Sequence, residues 1–284
     1  MARRRLDPHL DSMMIFSGVG LNILKERRRQ GGSRRNRLRR LAGEQSRTTS
    51  WILRGVTTRI EAGESVAVLG LKNSGRTEFV RLAAGTLIPD EGSILRRQSI
   101  LPMIDLRRAF ERGFTIRQNS YLLGGLLGMT PKEVEGALLE IVETAEFTSN
   151  IDKYMGGVSA LTRQKLAWAI AMATKANAFA IDEMLVVGDP QFQAKCIAHV
   201  HRLKADGATF LVATDVPRKF EGFFERAIVL HNGSVLLDGA FADGLAVLRE
   251  LRLANSAVEI EADIETETET ETETETETWK DGRP

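Results

Sequence analysis

Residues 65–77 read SVAVLGLKNSGRT, an apolar strand (Ser65 to Leu69) running into a loop bounded by Gly70 and Gly75 and then into a helical stretch. The spacing Gly70-x-x-x-x-Gly75-x-Thr77 is that of a loop that cradles phosphates. Its glycines let successive backbone N–H groups turn inward toward a polyphosphate at the positive end of the following helix. Gly70, Leu71, Lys72, Asn73, Ser74, Gly75, Arg76 and Thr77 are therefore the candidate phosphate-binding residues. Such loops carry lysine before the Ser/Thr, and here Arg76 stands in that place. The stretch predicts a nucleotide site altered where the chemistry is most demanding.

Composition bounds the rest. The 284 residues are 43% hydrophobic and 27% charged, which suits one soluble α/β domain with extensions. The net charge of +1 conceals an asymmetry. Arg3 to Arg5, Arg27 to Arg29 and Arg34 to Arg40 make the start basic, while Glu265 to Thr278 alternates glutamate and threonine. The single cysteine, Cys196, excludes an intrachain disulfide and suits a reducing compartment. Its expected role is that of a buried thiol. No apolar run approaches the roughly 20 residues needed to span a bilayer. The start, MARRRLDPHLD, lacks the apolar stretch of a signal peptide.

Periodicity places strands at 13–23, 51–61 and 65–69, a helix at 77–86, and short strands within 93–104. From Thr115 to Ala160 the pattern is helical, with an apolar face through Leu122, Leu126, Val134, Leu138 and Ile141. Pro131 after Thr130, with Glu133 behind it, marks a helix start. Helices are expected at 161–175, 194–204 and 217–225, and strands at 179–181 and 209–213. His231-Asn232-Gly233 signals a hairpin between strands at 227–230 and 234–237. The basic stretch 24–47 suits a solvated insertion better than a surface for anionic lipid headgroups. The Glu-Thr tail has no apolar face and repels itself when extended, so it is expected to be disordered.

A second motif completes the first. Phe179-Ala180-Ile181-Asp182-Glu183 is an apolar strand ending in two carboxylates. Downstream of a phosphate loop, the first carboxylate suits Mg²⁺ and the second an attacking water. The four histidines have no metal-ligand spacing, and His199 and His201 are two apart, so they do not share a helix face. No Asn-Lys-x-Asp string specifies guanine, and no aromatic interleaving of the arginines supports nucleic-acid binding.

The run IDEMLVVGDPQFQAKC (Ile181 to Cys196) resembles the Walker B, D-loop and following helix of ABC-transporter ATPases, closest to the subfamily that exports capsular polysaccharide, O-antigen or teichoic acid. In that group the Asp-Glu pair is followed by Gly-Asp and then Phe-Gln-x-Lys-Cys, matched here by Gly188, Asp189, Phe192, Gln193, Lys195 and Cys196. Thr115 to Glu135 resembles the start of that group's helical subdomain, and Trp51 to Val56 its strand before the phosphate loop. The resemblance covers roughly residues 13–250 and implies a P-loop NTPase (RecA-like) α/β core with an antiparallel β portion and an inserted helical subdomain. It places a flexible N-terminus at 1–12, a nucleotide-binding domain at 13–255 with its helical subdomain near 115–165, and a tail at 256–284. It further implies ATP and Mg²⁺ as cofactors, with Thr77 and Asp182 on the metal, Glu183 polarising water, and Ser159 and Asp189 among the nucleotide-site residues. The implied partners are an ABC-2 type integral membrane permease and a second ATPase subunit, identical or a competent paralogue, with no nucleic acid. The implied location is peripheral, on the cytoplasmic face of a bacterial inner membrane.

The departures from that pattern are equally specific. The signature segment reads Val158-Ser159-Ala160-Leu161-Thr162, keeping the serine but not the glycines. Thr214 stands at the switch-histidine position, Ile23 where an aromatic stacks on adenine, and Asp105 nearest the Q-loop glutamine. The resemblance thus implies impaired hydrolysis.

Overall fold

The computed structural model describes residues 12–26, 47–147, 150–182, 187–220 and 222–256. The expectations for the N-terminus, for insertion residues 27–46, for Glu183 and for the tail beyond 256 lie outside the described residues.

Two sheets and a helical block make up this part of the chain. β1 (Ser12–Glu26) lies between β2 (Arg47–Glu61) and β4 (Glu91–Arg96) in an antiparallel three-stranded sheet. The larger sheet has the order β5-β6-β7-β3-β8-β9. Its strands are β3 (Ser65–Gly70), β5 (Leu101–Met103), β6 (Ala178–Asp182), β7 (Thr209–Ala213), β8 (Arg226–His231) and β9 (Ser234–Ala240). All neighbours pair in parallel except β8 and β9. β3 is therefore flanked by β7 and β8, and the loop at its end opens at the carboxyl edge of a parallel sheet, where α/β folds bind ligands.

The parallel strands are buried on both faces, and their period of two sorts side chains between two cores. Val66, Val68, Ala178, Ala180, Leu211 and Ala213 face one core, shared with Phe79, Val80 and Leu82 of α1 (Arg76–Ala84) and with Met14, Phe16 and Leu53 of the small sheet. Ala67, Leu69, Phe179, Ile181, Phe210 and Val212 face the other, with the helical block. Stacked pairs Phe16–Phe79 and Phe179–Phe210, with centroids 4.7 and 5.0 Å apart, mark the two cores.

The helical block comprises α2 (Ile116–Leu126), α3 (Pro131–Thr144) and α4 (Ala160–Met172). Thr115 and Thr130 each form a reciprocal capping box, with Gln118 and Glu133, and Pro131 occupies the first turn as its sequence predicts. α5 (Pro190–Ala205) links β6 to β7 and is capped by Asp189, whose Oδ1 accepts from Phe192 N. The hairpin β8–β9 turns through Asn232 and Gly233 at φ 47° and 79°, the left-handed pair that its sequence calls for.

Four features depart from expectation. The inward face of α2 runs through Leu123, fully buried, whereas Leu126 is 65% exposed. The segment after β7 is only a 3-10 turn, Pro217–Phe220, because Gly222 at φ 71° breaks any continuation and Phe220, Phe223 and Phe224 all turn inward. A helix, α6, over 241–256 was not expected. Likewise β1 and β2 reach Glu26 and Arg47, into the stretch read as insertion.

Candidate functional site

The site begins with backbone. Gly70 ends β3 where an added Cβ would lie 2.3 Å from Ser74 Oγ and 2.5 Å from Leu230 O. At Gly75, φ is 94° and a Cβ would meet Leu53 Cδ2 at 2.6 Å. Only glycine permits this tight return from strand to helix. Gly75 gives α1 no side-chain cap, so the start of the helix is open to an anion. Ser74 Oγ is buried without a hydrogen-bond partner among the described residues, an acceptor-donor group awaiting one. Lys72 is exposed on the loop. These features fit a polyphosphate.

Thr77, in the first turn of α1, and Asp182, at the end of β6, are brought together as the two motifs require. Thr77 Oγ1 donates to Asp182 Oδ1 at 3.3 Å. Burial pushes the Asp182 carboxyl above its ordinary value, against the pull of the Thr77 hydrogen bond and of Arg81 and Arg76. A half-buried carboxylate and a hydroxyl at the mouth of a phosphate loop are hard oxygen donors of the kind Mg²⁺ takes alongside phosphate. They would hold such a metal, which would supply charge neutralisation to bound phosphate.

Arg76 is the departure. Its side chain is 11% exposed and folds back over the loop, donating from Nη1 to Gly70 O at 3.2 Å and pairing with Asp215 Oδ1. The planar, multi-donor guanidinium can serve both at once. Sequence reading missed Asp215 as this partner. The signal was topological: Asp215 follows β7, and β7 is the parallel neighbour of β3. Thr214, at the switch position, shapes that turn: its N–H donates to Val68 O at 3.4 Å and its Oγ1 accepts from Val216 N at 3.1 Å. Asp105, near the Q-loop position, pairs with Arg81 at 3.4 Å. Ile23 is exposed on β1.

The remaining candidates have local partners. Ser159 caps α4, accepting from Thr162 N at 3.0 Å. Asp189 is held by Lys165 at 2.6 Å. Hydrogen bonds from Lys165 and from Phe192 N take the Asp189 carboxyl down to about 2. Lys165 also binds Glu146, which pairs in turn with Lys195. Asp189 thus sits in a network joining α4, α5 and the end of α3 rather than on the phosphate loop. Cys196 is fully buried, its thiol pushed up to about 12 by that burial, so it is no nucleophile at neutral pH. Among the described residues no His, Cys, Asp and Glu cluster would hold a metal by itself, and no helix is long and apolar enough to cross a membrane.

Known proteins resemble this chain in sequence and in fold. The family described as ABC transporter matches residues 53–186. The chain is 30% identical over 187 residues to an ABC transporter protein, AbcA, of Aeromonas salmonicida, covering 66% of this chain and 61% of that protein. It is 30% identical over 177 residues to an O-antigen export system ATP-binding protein, RfbB, of Klebsiella pneumoniae, covering 62% of this chain and 72% of that protein. In fold it matches the dimeric ATP-binding cassette MJ0796 bound to ADP and phosphate, with TM-score 0.61 and 20% identity over 80% of this chain and 98% of the other.

Proposed function

The chain belongs to the ABC-transporter family, in the group of ATP-binding subunits that serve polysaccharide export, and from that premise we propose that it couples ATP binding, with slow hydrolysis, to export of a cell-surface glycan. Proteins of this family bind ATP, and the chain would do so on the cytoplasmic face of a membrane, beside an integral permease of the ABC-2 type. The observation that carries the reading is the Thr77–Asp182 contact at the mouth of an uncapped, glycine-bounded helix start. Backbone N–H groups from Gly70 to Gly75 would hold the phosphates. Thr77 and Asp182 would hold Mg²⁺, and Glu183 would polarise the attacking water.

Hydrolysis is slow on this reading because the contacts to developing charge are degraded. Each lost contact costs about 2–4 kcal/mol of transition-state stabilisation, on the order of 30- to 1000-fold in rate. ABC sites are shared between subunits, one supplying the phosphate loop and the other the signature. A homodimer would therefore combine Arg76 with the Ala160-Leu161 signature at both sites, whereas an intact paralogue would leave one defect per site.

A non-hydrolysing scaffold subunit is the second reading. It is favoured by Arg76, whose guanidinium is already engaged by Gly70 O and Asp215 at the loop itself. Nucleotide trapping separates the two. With Mg²⁺-ATP, Glu183→Gln should lengthen ATP retention and lower export. Unchanged retention together with unchanged export would remove Glu183 from the mechanism, and export without any ATP binding would establish the scaffold.

A further inference from the structure

We propose that residues 258–265 of this chain dock, extended, in a cleft between α6 and the turn that follows β7. The cleft encloses about 510 Å³ and is walled by Asp215 to Lys219 on one side and by α6 from Leu245 to Ser256 on the other. Its floor is apolar: Leu248 is buried, while Val216 and Leu253 stand 42% and 63% exposed. Its rim is cationic, with Arg218, Lys219, Arg249 and Arg252 all exposed. Arg252 Nη2 donates to Asp215 O at 2.9 Å, which fixes α6 to the turn and keeps the walls apart at a set width. The lone carboxylate of the lining, Asp215, is paired with Arg76.

The occupant follows from where the chain goes next. Ser256 lines the cleft and is the last described residue of α6, so the chain continues from the cleft's own edge. Residues 258–265 read Val-Glu-Ile-Glu-Ala-Asp-Ile-Glu, with apolar and acidic residues strictly alternating. In an extended chain this puts Val258, Ile260, Ala262 and Ile264 on one face and four carboxylates on the other. On a helix the same residues would scatter around the axis. An apolar face for the floor and four anions for four cations make this segment complementary to the cleft in both respects. The Glu-Thr repeat beyond has the charge but no apolar face, so it lacks the second match. The inference does not depend on ATP chemistry.

The test is proteolysis of the full-length chain with a glutamate-specific protease, read by mass spectrometry. Cleavage after Glu259, Glu261 and Glu265 is compared with cleavage after Glu273, Glu275 and Glu277 of the same molecule. When opening is fast, cleavage tracks the open population, so docking should slow the inner sites about tenfold relative to the outer ones at low salt. That protection should disappear in Arg218→Glu/Lys219→Glu/Arg249→Glu and, independently, in Val258→Ser/Ile260→Ser/Ile264→Ser. It should not depend on protein concentration. Equal cleavage at both sets of sites overturns the proposal. So does protection that survives both variants, which would arise from the nearby helix or from the basic stretch 24–47. Protection that grows with concentration assigns the cleft to a second copy and overturns it too.

Discussion

At the scale of single residues, the site turns on two carboxylates with opposite duties. Asp215 holds the Arg76 guanidinium against the loop, so an incoming phosphate must compete with it. Asp215→Asn should tighten Mg²⁺-ATP binding by about 1 kcal/mol, a few-fold in Kd, the modest value reflecting a half-exposed partner; calorimetric titration would read it. Asp182 has a raised folded-state pKa, with burial as the first cause. The folded chain therefore holds that proton to higher pH than the unfolded chain, and stability falls as pH rises through this interval. Asp182→Asn should raise the apo melting temperature at pH 7, with the gain vanishing in acid, while Mg²⁺-dependent nucleotide binding weakens about 10- to 100-fold. Thermal melts with and without Mg²⁺-ATP would show both signs. The glycine frame, Thr77 and Asp182 were legible because their chemistry is tied to fixed spacing. The Arg76–Asp215 pair was not, because it is written in sheet order rather than in sequence separation.

At the scale of elements, one side chain gathers several of the polar contacts between the small sheet and the large one. Arg226, on β8, bonds Asp238 on β9 at 2.7 and 2.8 Å, Glu64 ahead of β3 at 3.0 Å, Arg59 O at 3.0 Å and Thr58 Oγ1 at 3.2 Å. Truncation would strand two carboxylates in partly buried surroundings. Arg226→Ala should cost about 2–4 kcal/mol of unfolding free energy, measured as a lower urea midpoint at unchanged slope. Capped and strongly periodic elements were readable beforehand. Thr130-Pro131 announced α3, and Asn232-Gly233 announced the hairpin. Elements set by packing were not. The helix expected at 217–225 gives way to a compact turn because three phenylalanines seek the core and Gly222 adopts a left-handed conformation. Leu123 rather than Leu126 faces inward because the phase of a short helix is fixed by its neighbours.

At the scale of the whole molecule, the paired departures in phosphate loop and signature bear on assembly. If sites are shared between two cassettes, the purified chain alone should hydrolyse ATP at least about tenfold more slowly than an assembly with an intact paralogue. A steady-state phosphate-release assay on both would decide it, and equal ordinary turnover by the chain alone would refute the heterodimer. A charged cluster also ties the helical insert to α5. Glu146 grips Lys195 with one oxygen and Lys165 with the other, while Lys165 reaches on to Asp189 and lies 4.8 Å over the ring of Phe192. The insert is thus riveted to the start of α5 by charge as well as by apolar packing, so a displacement of either would pull on the other.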